Sequence, residues 1–438
     1  HNSRTLANTV ANVFAANGIV VYLFSDLRPT PLLSFTVRHL NCHCGIVLTA
    51  SHNPPAYNGY KVYWQDGGQL VPPQDHEIIS EINSITYKDI RFNSDPKNII
   101  HIDSELDRAF LEEAQAQMPF EVESVAKENL RIVFTSLHGT SITLVPELLK
   151  QSGFSNVLVV EDQATPDGDF PTVKSPNPEE PEALSLALEK AEAYNADIVI
   201  GTDPDSDRLG IAVRNSKGKL QLLNGNQSMA LKTYFLLETL QTQKALNPNH
   251  FIASTVVSTP LMAKIASHFN VRYKETLTGF KWIAKLVKDF PEDQLICGGE
   301  ESFGFMLGDF VRDKDAVTAT LLSCMIAAHL KQNNQTFYSY LNTIYNTLGL
   351  RYETLKSLVK EGKKGAEDIA AKMHQLRHTP PSTLGGSPVV KIEDYLTQHA
   401  TCLTNKKTEP ITLPKTNLLI FYTENHAKIA VRPSGTEP

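Results

Sequence analysis

The sequence predicts an α/β fold of layered units followed by a separate α+β segment, and three observations carry that reading. Short apolar runs alternate with amphipathic stretches through the first half and again beyond residue 250, as strands and helices do in α/β layers. Three of the short apolar runs lead directly into polar loops rich in reactive side chains. After Pro380-Pro381 the composition changes and a hairpin pattern appears near the end.

Taken in order, Leu6, Val10, Val13 and Phe14 fall at helical spacing, so Thr5 to Ala16 is expected to be a helix that Gly18 stops. Residues 19–24 read as a buried strand and 45–48 as a second. Further strands are expected at 131–135, 157–160 and 197–200, with helices near 141–152 and 180–194. The pattern then repeats: strand at 251–257, helix at 260–269, strand at 271–275, helix at 280–289, strand at 294–297. Helices follow at 314–331 and 335–347, and the charged stretch 350–378 is expected to be helical, interrupted at Gly362 and Gly365. Residues 417–422 and 428–431, joined through Glu424-Asn425, read as a β-hairpin.

The chemistry lies in the loops. Thr49-Ala50-Ser51-His52-Asn53, Gly201 to Arg208, and Gly298 to Ser302 each follow a short apolar strand. In α/β sheets, ligands bind beyond the carboxyl ends of strands, so the three loops are expected to converge on one cleft. Asp203, Asp205 and Asp207 repel one another unless a cation lies between them, and hard oxygen ligands suit Mg²⁺ or Ca²⁺. A calcium hand loop would need Gly and Glu where Arg208 and Arg214 stand. The alternative is a solvated acidic turn.

Ser51 lacks the Gly-x-Ser-x-Gly setting of a hydrolase elbow. It could instead carry a phosphoryl group, with His52 beside it, or be an inert loop serine. Lys61 is either a surface lysine or an acid/base group drawn towards neutral pKa by desolvation. Arg432-Pro433-Ser434-Gly435-Thr436 has the composition of a phosphate clamp, and equally of an ordinary hairpin exit. Glu300 and Ser302 suit sugar hydroxyls, and Thr278-Gly279 could border the same pocket; both loops could also be purely structural.

The chain has 438 residues, 41% hydrophobic and 20% charged, with a net charge of -7, long enough for two to four domains. No basic excess points to nucleic acid, and no apolar run reaches the ~20 residues that span a bilayer. Five cysteines in so long a chain make a disulfide framework a poor reading, and Cys42-His43-Cys44 has no second ligand pair at zinc spacing. Reduced thiols and a cytoplasmic setting are expected. No signal peptide is visible, and the chain opens directly into a helix.

Together the motifs Thr-Ala-Ser-His-Asn-Pro at 49–54, Asp-Pro-Asp-Ser-Asp-Arg at 203–208, Gly-Glu-Glu-Ser at 299–302 and Arg-Pro-Ser-Gly-Thr at 432–436 resemble the α-D-phosphohexomutase family. Their order matches across nearly the whole chain. The resemblance implies three similar α/β/α layered domains plus a C-terminal α+β domain around a central cleft, divided as 1–125, 126–225, 226–348 and 349–438. These would carry phosphoserine, metal, sugar and phosphate in turn.

It further implies a mutase that interconverts hexose 1-phosphate and hexose 6-phosphate, glucose before mannose. The implied route is a phosphorylated Ser51 and a hexose 1,6-bisphosphate, which would also serve as activator. Asp203, Asp205 and Asp207 would hold Mg²⁺ together with the serine ester. Arg208, Glu300 and Ser302 would face the substrate, with Thr278 and Gly279 at the pocket border. Arg432, Ser434, Gly435 and Thr436 would clamp the distant phosphate. Lys61 and Lys314 would be the basic groups near the chemistry. The only implied partner is a phosphosugar, and the sequence carries no signal for oligomeric state. A phosphopentomutase, a phosphatase and a non-catalytic phosphosugar-binding protein stay open.

Two departures are visible. The N-terminal arginine-bearing segment and a closing strand after the phosphate loop are not in the sequence, so missing segments are expected. The sugar loop lacks the histidine of dual-specificity bacterial relatives at Gly304, which makes mannose the less expected sugar.

Overall fold

The computed structural model describes residues 2–360 and 362–434, and the chain divides into two compact units, 1–351 and 352–438. The first unit holds three layered regions in sequence. In the first, Val21–Phe24 pairs in parallel with Ile99–Ile102, and Cys44–Leu48 pairs antiparallel with Tyr60–Trp64. In the second, five strands run in the order Val157–Val159, Ile132–Thr135, Ile198–Thr202, Leu209–Arg214, Leu220–Leu222. The first three are parallel and the last two antiparallel. The third repeats this plan with Arg272–Thr276, His250–Thr255, Gln294–Gly299 and Phe305–Leu307.

The periodicity explains the layers. Ile198–Thr202 is buried at every position, as a strand covered on both faces must be. The helix Ala316–Gln332 is also apolar on nearly all sides, with fourteen buried residues from Ala316 to Leu330. It fills the centre of one continuous core that runs from Leu32 through Phe134 and Ile200 to Ile344. Asp315 caps its start by accepting from the Val317 and Thr318 amides at 2.9 and 3.0 Å, which fixes where the preceding loop ends.

The second unit is a helix, Gly362–His378, against an antiparallel sheet. Met373, Val389, Leu419 and Phe421 form its small core. The expected hairpin is present as Leu419–Thr423 and Lys428–Val431.

Two expectations are corrected. Residues 19–24 are not a buried strand: the strand starts at Val21, and Ile19, Val20 and Tyr22 are 46%, 54% and 42% exposed. A lone parallel ladder of two strands leaves one face of the strand uncovered. Residues 350–378 are not one helix. Residues 351–360 have no regular structure, and the helix begins at Gly362. Tyr352, Leu355 and Leu358 have the right spacing but stay exposed, and helical pattern without burial does not hold a helix in water.

One close approach ties the third region's loop to its helix. A Cβ on Gly225, the first residue of the helix Gly225–Thr242, would lie 1.9 Å from the Glu301 carbonyl oxygen. Gly225→Ala is therefore expected to displace the 299–304 loop and cost about 1–3 kcal/mol, read as a lower thermal midpoint than wild type.

Candidate active site

All three reactive loops follow the carboxyl ends of their strands, Cys44–Leu48, Ile198–Thr202 and Gln294–Gly299. They meet within the first unit. Ser51 Oγ donates to Asp203 Oδ2 at 2.6 Å. Arg208 bridges to Gly304, and the Leu209 amide donates to the Phe303 carbonyl at 3.0 Å.

Ser51 sits in the left-handed region at φ 52°, costly for a residue with a Cβ. Its amide donates to Thr49 Oγ1 at 2.8 Å, and its Oγ lies 3.1 Å from His52 Nδ1. These contacts hold the hydroxyl out of the loop and towards the aspartates.

Asp203, Asp205 and Asp207 are buried, and their nearest oxygens lie within 4.8 Å of one another. Asp203 Oδ1 accepts from the Asp207 and Arg208 amides at 3.0 and 2.9 Å. Burial, together with the Asp205 and Asp207 charges, still pushes Asp203 well above the usual carboxyl range. Burial also pushes Asp205 upward, but Lys61 and the hydrogen bond from Asp203 hold it below the usual range.

Two ammonium groups face these carboxylates. Lys61 Nζ lies 2.9 Å from Asp205 Oδ2 and 3.3 Å from Asp207 Oδ2, and Lys314 Nζ lies 3.1 Å from that same Asp207 oxygen. Asp205 Oδ1 and Asp207 Oδ1 are buried without a hydrogen-bond partner. Orphaned carboxylate oxygens in a buried cluster of three fit a small hard divalent cation.

The expectation that desolvation draws Lys61 towards neutral pKa is overturned. Desolvation does lower it, but the attraction of Asp205 and Asp207 outweighs that and raises it above an ordinary lysine. Lys314 is raised for the same reason, by Asp207 and Asp313 against its own burial.

Arg208 Nη1 pairs with Glu179 Oε1 at 2.5 Å, leaving its buried Nε without a hydrogen bond. Glu300 is 4% exposed, and its Oε1 accepts from the Gly279 amide at 2.6 Å. The two expected sugar loops are thus one rim. Burial, opposed mainly by Lys314, pushes Glu300 up to about 7, so its carboxyl can both accept from and donate to a hydroxyl. Thr278 and Ser302 are half-buried on the same loops. Arg432 and Ser434 are exposed in the second unit after Lys428–Val431, and Gly435 and Thr436 lie outside the described residues.

Several partners were not anticipated from sequence. Glu179, in Asn177-Pro178-Glu179, balances Arg208; a polar loop ahead of a helix was its only signal. Thr30 donates its amide to the Asp205 carbonyl at 2.9 Å and its Oγ1 to Asp205 Oδ2 at 3.3 Å. Asp313, Tyr63 and Gln69 form a buried network beside Lys314. All five cysteines are free thiols, and no helix among the described residues is long and apolar enough to cross a membrane.

Family models described as phosphoglucomutase/phosphomannomutase alpha/beta/alpha domains I, II and III match residues 1–89, 108–218 and 224–348. A phosphoglucomutase of Staphylococcus epidermidis is 39% identical, covering all of this chain and 80% of that protein. One of Staphylococcus aureus is 40% identical, covering all of this chain and 79% of that protein. Among solved structures, the phosphoglucomutase pp63/parafusin of Paramecium, in an open form, superposes with a TM-score of 0.69 at 19% identity, over 99% of this chain and 78% of that one. A phosphoglucomutase/phosphomannomutase family protein of Burkholderia thailandensis gives 0.62 at 21%, over 78% and 68%. At those identities the likeness is one of fold.

Two outcomes are expected from the charge balance. Lys61→Met leaves Asp205 buried beside two other carboxylates and should cost about 3 kcal/mol, as breaking a buried pair does. The midpoint of chelator-treated protein should fall, and divalent cation should restore more of it than in wild type. The second outcome concerns pH. Because Asp203 is raised, folded protein keeps a proton that the unfolded chain releases above the ordinary Asp pKa. The folded state therefore loses stability as pH rises from that value through the raised one. A cation must displace the same proton, so divalent affinity should increase with pH over that window, as calorimetric titration at several pH values would measure.

Proposed function

This chain belongs to the phosphoglucomutase/phosphomannomutase family and is a hexose phosphate mutase, and from that premise we propose that it interconverts glucose 1-phosphate and glucose 6-phosphate through a phosphorylated Ser51. The observation that carries the proposal is the Ser51 hydroxyl, 2.6 Å from Asp203 inside a cluster of three buried carboxylates. An inert loop serine has no reason to be held there in a left-handed conformation. The relatives named phosphoglucomutase favour glucose over mannose, and Gly304 in the sugar loop agrees with that preference.

In the proposed cycle, Ser51 carries the phosphoryl group and gives it to the free hydroxyl of the bound sugar phosphate. The serine O–P bond breaks, a sugar O–P bond forms, and the proton lost by the sugar hydroxyl ends on the released Ser51 oxygen. The resulting hexose 1,6-bisphosphate turns end for end, and its other phosphoryl group returns to Ser51. On that return the Ser51 hydroxyl, which donates to Asp203 Oδ2 with His52 Nδ1 3.1 Å from its oxygen, gives up its proton as the new serine O–P bond forms, and the sugar oxygen that is released gains one. Lys61 and Lys314, both held cationic, stand where negative charge spreads over the transferring oxygens.

Asp203, Asp205 and Asp207 would hold Mg²⁺, which when bound neutralises charge on the phosphoryl group. Arg208 and the rim of Thr278, Gly279, Glu300 and Ser302 would orient the sugar. The Arg432 loop, including Ser434, Gly435 and Thr436, would clamp the phosphate not being transferred. The corresponding domains are 1–125, 126–225, 226–348 and 349–438. A hexose 1,6-bisphosphate is the expected activator. The free thiols support a cytoplasmic setting.

The test is a coupled assay with sugar 1-phosphates of glucose, mannose, glucosamine and pentose, with and without bisphosphate. Ser51→Ala should abolish turnover and remove phosphate from the intact-mass spectrum; near-normal turnover would reject the phosphoserine. Arg432→Ala should raise KM for glucose 1-phosphate by about 1.5–3 kcal/mol, the worth of a charged hydrogen bond. An unchanged KM would take the clamp out of the scheme.

A further inference from the structure

Asp313 is 1% exposed, and both of its oxygens are used. Oδ2 accepts from the Tyr63 hydroxyl at 2.6 Å and from Gln69 Nε2 at 2.8 Å. Oδ1 accepts from the Lys314 amide at 2.8 Å and faces Lys314 Nζ at 3.4 Å. Tyr63 is fully buried. It lies two residues from Lys61 on the strand Tyr60–Trp64, so both side chains leave the same face. One strand face thus sends Lys61 to the aspartate loop and Tyr63 to the acid that faces Lys314.

The stem of Lys314 has little freedom. A Cβ on Gly304 would lie 2.5 Å from Lys314 Cδ, and Lys314 Nζ lies 5.5 Å from the Phe280 ring centroid. Yet Lys314 and Lys61 converge on the same Asp207 oxygen, and two like charges so close repel. Asp313 supplies a counter-charge to Lys314 at 3.4 Å.

We propose that Asp313, pinned by Tyr63 and Gln69, is a positioning residue for phosphoryl transfer: it fixes the Lys314 ammonium against Asp207, and it does so only when the Tyr60–Trp64 strand is docked on the loop that carries Lys314. The inference rests on the mutase reading of the site. It makes the lysine's placement a property of two chain segments about 250 residues apart in sequence, so that docking of the phosphoserine region and readiness of the lysine come together.

The test uses full-length Asp313→Asn, Tyr63→Phe, Lys314→Met and the two double variants with Lys314→Met. Loss of an outer-shell partner at a metal site typically costs about 10- to 100-fold, and Lys314 stands against one of the clustered carboxylates. Asp313→Asn should lower kcat by about that factor with KM for glucose 1-phosphate nearly unchanged, and Tyr63→Phe should lower it less, with the same split. In the Lys314→Met background neither change should cost anything further.

Mg²⁺ titration of chelator-treated protein gives a second readout where turnover is too slow. Asp313→Asn should shift Mg²⁺ affinity in the same direction as Lys314→Met and add nothing to it. Full additivity in both readouts, or a raised KM with unchanged kcat, would overturn the proposal. If Asp313→Asn does not fold, Tyr63→Phe decides by the same comparison. Wild-type protein inactive on every sugar would end the mutase reading and this inference together, whereas active wild type with additive variants ends this inference alone.

Discussion

Three carboxylates buried within 4.8 Å of one another set the terms for the rest of this molecule. They cannot all be ionised in a low-dielectric interior without positive charge beside them. The protein meets that requirement by bringing lysines from two other segments onto the loop, with Arg208 Nε 3.9 Å from Asp207 Oδ1, and it leaves two carboxylate oxygens without a hydrogen bond where a cation could bind. Lys61 comes from the first layered region, the aspartates from the second and Lys314 from the third. Charge balance at one point therefore joins all three regions, and the Ser51 hydrogen bond to Asp203 is part of the same balance.

The scaffold makes this affordable. The helix Ala316–Gln332 lies in the common core, and its first amide donates to the Ser206 carbonyl at 3.1 Å. The aspartate loop is thereby fastened to the most buried element of the unit. Rigid strands end where the loops begin, so the reactive side chains inherit the precision of the sheets rather than the mobility of loops. Strain at Ser51, in the left-handed region, is tolerated because its amide and hydroxyl are both held.

Much of the fold was legible in the chain. The strand and helix runs at 132–135, 198–202, 250–255, 280–289 and 294–299 follow from continuous apolar stretches and 3.6-residue periodicity. The failures have a common cause. At 19–24 and 350–360 the pattern was right but the partner surface was missing, and burial is decided by what lies opposite. Within the site, loops with several polar groups in a row were readable. Lone partners such as Glu179, Thr30 and Tyr63 were not, because their significance is a contact with residues 29 to 250 positions away.

The sequence by itself determined the layered class, the reactive loops and the identity of their donors, because apolar periodicity and clustered oxygen ligands are local properties. Only the tertiary structure decided in which direction the surroundings of Lys61 push its pKa. Local reasoning about desolvation pointed one way, and the approach of Asp205 and Asp207 at 2.9 and 3.3 Å turned it the other. It likewise decided that Asp313 faces Lys314 while held by Tyr63. Electrostatic energy depends on distances across the fold, and those distances are not written in the spacing of residues along the chain.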